Sequence, residues 1–113
     1  MHALSLEAQE LTRKMLTPGA DPKEIWDANN AFLQKRGSGP ETRLCAHGEG
    51  YEMVERPAIR YDEPMKIRAG MNLAVHPVAK NKRVWTCVCD NHLVTESGDP
   101  LCLHKTPKDI IVL

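Results

Sequence analysis

From Leu4 to Met15 the apolar residues Leu4, Ala8, Leu11 and Met15 recur at the spacing of one helical face, while Glu7, Glu10, Arg13 and Lys14 fall largely elsewhere. The spacing predicts a helix over 4–15, stopped by Thr17-Pro18-Gly19. A second helix starts at Asp21, whose carboxylate can cap; Pro22 suits the first turn, and Glu24 stands where it completes a capping box. Its apolar face is Ile25, Ala28 and Phe32, with Trp26 and Leu33 alongside. Lys35 and Arg36 complement the negative end of the helix dipole, and Gly37 supplies a left-handed stop.

After the loop Gly37-Ser38-Gly39-Pro40 the periodicity changes to alternation, through Leu44 to His47. Arg56-Pro57-Ala58-Ile59 is expected to be extended and Asp62-Glu63-Pro64 to turn. Met71 to Val78 reads as a strand with Asn72, Ala74 and His76 on one face and Met71, Leu73 and Val75 on the other. Ala79-Lys80-Asn81-Lys82 reverses the chain into Val84–Asp90, which continues through a bulge to Thr95. Glu96-Ser97-Gly98-Asp99-Pro100 turns into Leu101–His104, and Asp109–Leu113 closes as a short buried strand. Helices first and strands afterwards predict an α+β fold, with two N-terminal helices packed on one face of a curved antiparallel sheet. The polar face would carry His76, His47 and one parity of Cys87-Val88-Cys89-Asp90.

The 113 residues suffice for one domain, 1–113, with a single core. Fifteen acidic and fifteen basic residues balance, so no global field favours nucleic acid or an anionic membrane. Aromatic residues are too scarce for base stacking. No apolar run is long enough to cross a bilayer, and Met1-His2-Ala3-Leu4-Ser5-Leu6 lacks a signal-peptide core, so a cytoplasmic location is expected. The four cysteines read as reduced thiols rather than a disulfide framework.

The candidate chemistry centres on His47-Gly48-Glu49-Gly50. A histidine closing a strand beside two glycines is open to close approach by a ligand, although the same residues also describe a plain glycine turn. The order of pieces around it is more specific than the motif alone. A Leu6-Glu7-Ala8-Gln9-Glu10 helix, the Pro18-Gly19 break and the second helix precede His-Gly-x-Gly. Ala69-Gly70-Met71 leading to Val75-His76-Pro77, Asp90 ahead of Leu93-Val94-Thr95-Glu96-Ser97-Gly98, and Thr106-Pro107-Lys108-Asp109 follow it. This order resembles the C-terminal half of the pita-bread domain of aminopeptidase P, prolidase and creatinase over nearly the whole chain.

That resemblance implies a cleft with His47 as the catalytic-site residue and His76, Cys89, Asp90 and Glu49 as cleft or substrate-binding residues. Metal-dependent members hold two metals with two aspartates, the histidine of His-Gly-x-Gly and two glutamates. Here the aspartate stretch is absent, His76 and Cys89 stand at the glutamate positions, Asp90 matches its family neighbour, and Val54 replaces a second histidine. The losses remove the hard oxygen bridge that a dinuclear site needs, so no metal cofactor and no ordinary metallopeptidase activity are expected. Creatinase works without metal, but its histidine also lies in the part ahead of this chain.

Other chemistry is open to the replacements. His47, His76 and Cys89 are competent ligands for one zinc, although cysteines of this kind are more commonly small hydrophobes. Cys89 beside His76 could serve as a nucleophile. His92 and His104 carry less weight, and Glu49, Glu52, Glu55 and Arg56 form a charged rim at the cleft mouth. Because relatives pack this half against a similar N-terminal half, the resemblance also implies self-association or pairing with another chain, with a peptide or small molecule as possible ligand.

Overall fold

The computed structural model describes residues 1–113. Helix α1 spans His2–Lys14 and α2 spans Pro22–Lys35. The strands are β1 (Ala46–Gly48), β2 (Glu55–Ala58), β3 (Asn72–Val75), β4 (Val78–Lys80), β5 (Trp85–Cys87), β6 (Asp90–Leu93) and β7 (Leu101–Cys102). An antiparallel sheet runs in the order β2-β1-β3-β6-β7, and β4 and β5 form a second pair. The helices cover one face, with α1 against α2, β3, β4 and β5.

Asp21 caps α2 by accepting from the Lys23 amide at 3.0 Å. Glu24 stays exposed and returns no bond, so the cap is one-sided. Gly37, at φ +78°, takes the left-handed turn after α2 that a side chain would strain. The buried face of α2 is more polar than its periodicity suggests: Ile25 and Leu33 are buried with Asn29 and Asn30, while Phe32 is only half-buried. Asn30 clamps the following loop, donating to the Glu41 carbonyl and accepting from the Glu41 amide at 2.7 Å. Leu16, Ile25, Cys45, Ile59, Ile67, Leu73, Val75 and Val94 form the main core between helices and sheet. Burying each large aliphatic side chain contributes about 1.5–3 kcal/mol.

The expected strand over 71–78 is interrupted at His76-Pro77, because proline has no amide to donate to a ladder. Its partner opens in step at Val88-Cys89. Val75 pairs with Asp90 and Val78 with Cys87, so each strand contributes two residues to the gap. No extra residue, and hence no bulge, interrupts the second strand, and the continued register sets Cys89 opposite His76. The expected final strand is also corrected. Ile110–Leu113 is exposed and irregular, because the chain has already left the sheet edge at β7 to cross toward α1. There the His2 ring donates to the Lys108 carbonyl at 2.8 Å, and the Lys108 ammonium donates to Gln9 at 2.7 Å.

Candidate functional site

Directly opposed residues of antiparallel strands share a face. His47 opposes Ala74, and Ala74 opposes Asn91, which fixes the open face of the sheet. Alternation adds Asn72 and His76 to it. Leu73, Val75, Asp90 and His92 project to the helical side.

His47 is held at the end of β1 with little exposure. Its Nδ1 lies 2.9 Å from the Gly48 carbonyl, which can only accept, so Nδ1 carries the proton and Nε2 keeps its lone pair. Gly48 is required by the irregular pairing of β1 with β2: a Cβ there would lie 2.5 Å from the Arg56 carbonyl oxygen. The His76 ring stands diagonally across from His47, with ring centroids 5.0 Å apart and planes inclined at 58°. Burial pushes the His76 imidazole pKa down, and His47 and Arg43 add to that shift.

Toward the other end of the open face a polar network surrounds Glu49. Asn91 donates to its carboxylate at 2.7 Å and to Asn72 Oδ1 at 3.2 Å, Asn72 donates to the Glu49 carbonyl at 3.2 Å, and His104 Nε2 donates to Asn91 Oδ1 at 3.0 Å. Asn72, Asn91 and His104 join the candidate site by these contacts. Strand parity signals the two asparagines, and nothing in the local sequence signals His104. The expected rim is thinner than its charges suggest: the Glu55 carboxylate accepts from the Glu52 amide at 2.7 Å, and Arg56 pairs with the buried Glu63.

The structure does not place Asp90 on the cleft floor. Its carboxylate faces the helices and accepts from Gln9 Nε2 at 2.9 Å, with the Lys108 ammonium 3.3 Å away. The physical reason is parity, since neighbours on a strand point to opposite faces and Asp90 follows the gap as the partner of Val75. Cys89 lines an open hollow of about 400 Å³ at the sheet end, together with Cys87, Asp90, His104 and Lys108. Burial, Asp90 and Glu49 push its thiol pKa up, the reverse of what a nucleophilic thiolate needs.

No three His, Cys, Asp or Glu side chains converge closely enough to hold a metal ion together. The donor set also differs in kind from a paired-metal site, because an imidazole and a cysteine sulfur do not supply the hard bridging oxygens of carboxylates.

The sequence model of metallopeptidase family M24 matches residues 1–96. The chain belongs to metallopeptidase family M24. Its fold is that of the C-terminal half of the pita-bread domain, as similarity to solved structures confirms. An X-Pro aminopeptidase from Thermotoga maritima superposes with a TM-score of 0.88 at 24% identity, covering 99% of this chain and 32% of that one. A Xaa-Pro dipeptidase from Bacillus anthracis gives a TM-score of 0.84 at 23% identity, with 99% and 32% covered. A prolidase from Pyrococcus furiosus gives 0.83 at 25% identity, with 94% and 32% covered. The comparison with curated proteins gave no match. This M24 chain therefore spans about a third of the length of the solved structures it matches. Among the positions at which the family resemblance implies metal ligands, this M24 chain keeps His47 and carries His76 and Cys89 in place of carboxylates.

Proposed function

We infer that this M24 chain supplies the His-Gly-x-Gly side of a pita-bread cleft without the two-metal hydrolytic chemistry, and acts as a binding or assembly subunit. The observation that carries this reading is the replacement of two hard carboxylate positions by His76 and Cys89. Two cations held close together around a bridging water need anionic oxygen ligands, and neither an imidazole nor a cysteine sulfur provides them. On this reading the chain alone hydrolyses no Xaa-Pro peptide when manganese or cobalt is added, and metal-dependent turnover lost in His47→Gln would overturn it.

The assembly half of the reading is a homo-oligomer or pairing with an N-terminal half. Strand β5 bonds to β4 on one side, the α1 residue Ser5 donates to the Thr86 carbonyl at 3.1 Å on the other, and Val84 and Trp85 lie exposed at the start of the strand. Exposed apolar side chains at the end of a short, incompletely paired strand favour contact with another chain. Light scattering at micromolar concentration tests this: a dimer or larger species is expected, and a clean monomer that binds no hydrophobic dye contradicts it. A peptide or small polar molecule is the ligand class that suits the open face, where Glu49 offers a carboxylate held in place by Asn91. A cytoplasmic location is consistent with four free cysteines, and no helix is long and apolar enough to cross a membrane.

A further inference from the structure

The chain leaves the sheet after β7 and crosses to α1 without making another strand. The Leu103 amide donates to the Asn91 carbonyl at 2.8 Å, and from His104 onward no backbone group enters a backbone hydrogen bond. His104 and residues 106–109 nevertheless line part of the hollow of about 400 Å³ at the sheet end, the rest of the lining being His2 and the strand gap 87–90. Side chains alone hold the segment there. At one end His104 donates to Asn91 Oδ1 at 3.0 Å. At the other, the Lys108 ammonium donates to Gln9 Oε1 at 2.7 Å and stands 3.3 Å from Asp90 Oδ2, while the Lys108 carbonyl accepts from the His2 ring at 2.8 Å.

Lys108 is the one cation within ion-pair distance of the buried Asp90 carboxylate. A buried carboxylate without a cation is costly, so the closed position is the resting one. A segment with no backbone ladder, tied by side chains at its two ends, opens locally while the rest of the chain stays folded. Pro107 has a fixed φ, so the segment moves as a stiff piece rather than fraying residue by residue. We propose that residues 104–109 form a strap latched by Lys108, and that its release opens the hollow and uncovers the Cys87 thiol while the helix–sheet core stays folded. Cys87 is half-buried in the lining, with its thiol donating to the His76 carbonyl at 3.4 Å. The strap controls access to the hollow and needs neither a metal nor peptidase chemistry.

The test uses the full chain carrying Cys89→Ser and Cys102→Ser, which leaves Cys87 to report the strap and the fully buried Cys45 to report global opening. Both thiols are followed by mass spectrometry during alkylation with an uncharged maleimide. In this background Lys108→Met is expected to speed Cys87 labelling about tenfold, the effect of losing one charge-assisted hydrogen bond on an opening equilibrium, with Cys45 labelling unchanged. Lys108→Arg keeps the cation and is expected to stay within about twofold of the parent. Removing a cation by itself favours the neutral thiol and would slow the reaction, so acceleration reports exposure. Backbone nitrogen relaxation of the chain with all its cysteines is a second readout, in which Lys108→Met is expected to loosen residues 104–109 and leave α1 and β6 as they are. An unchanged Cys87 rate, acceleration of Cys45 in parallel with Cys87, equal acceleration in Lys108→Arg, or unchanged mobility of residues 104–109 would each overturn the strap.

Discussion

Gln9 and Asp90 meet across the helix–sheet interface, where the amide nitrogen of Gln9 lies 2.9 Å from Asp90 Oδ2, and the same nitrogen lies within 3.2 Å of the Val75 and Val88 carbonyl oxygens. One buried amide thereby serves a carboxylate and two backbone acceptors at the gap where the long strands open. Asp90 consequently has a structural role in joining α1 to the sheet.

Replacing Gln9 by leucine roughly keeps the volume but takes this donor from the Val75 and Val88 carbonyls and leaves Asp90 with the Lys108 ammonium alone. The cost of unsatisfied buried polar groups is about 1–3 kcal/mol, more where a carboxylate is involved. Chemical denaturation of Gln9→Leu is expected to show a loss of this size with an unchanged denaturant slope. A loss within about 0.5 kcal/mol would match an ordinary surface position instead.

How much of this arrangement was legible in the sequence differs from residue to residue. The helical pair followed directly from Leu4, Ala8 and Leu11 and from the Asp21-Pro22 start, and the order of motifs identified the fold half. The long strands were legible as strands but not in their pairing: the Val75–Asp90 and Val78–Cys87 register runs through without the expected bulge, and Pro77 opens both strands together. Cys89 and Asp90 are both expected at the cleft, but neighbours on a strand point to opposite faces, and Asp90 turns to the helices. The Asn91–Glu49 contact and the approach of His104 depend on a curved sheet and a returning strand, which local patterning does not encode. Asn29 and Asn30 sit on the buried face of α2, against the usual reading of a helical stripe.

Gly48 gives a steric prediction. A methyl group there would meet the Arg56 backbone oxygen at 2.5 Å, and backbone on both strands has little freedom to yield. Gly48→Ala is expected to destabilise by about 1–3 kcal/mol and to shift the His47 ring resonances, because the strained segment carries the carbonyl that orients the ring. Gly98→Ala is the control: no heavy atom lies within 4 Å of its added Cβ, and its stability is expected to change by less than about 0.5 kcal/mol.

Stability is expected to fall in two stages on acidification. His92 is fully buried and its pKa is pushed down by that burial, so below pH 6.5 the unfolded chain binds a proton that the folded chain refuses. Stability therefore decreases as pH falls from 6.5, and His92→Asn should reduce that limb, leaving the part due to His76, whose pKa burial also lowers. Glu63 is depressed to about 2, chiefly by the Arg56 hydrogen bond and also by the Ala58 and Met65 amides. Its contribution is complete above its ordinary value of 4.5 and is lost as pH falls from there through about 2. Denaturation curves from pH 7 to 2 should show the lower limb reduced in Glu63→Gln and kept in His92→Asn.

Whether the family's two-metal reaction survives in this chain is tested most directly by incubating it with a Xaa-Pro dipeptide and excess manganese or cobalt, and measuring free proline beside an active prolidase. No release above the metal-only blank is predicted for the unaltered chain. Saturable release by the unaltered chain that requires the metal and disappears in His47→Gln would contradict it.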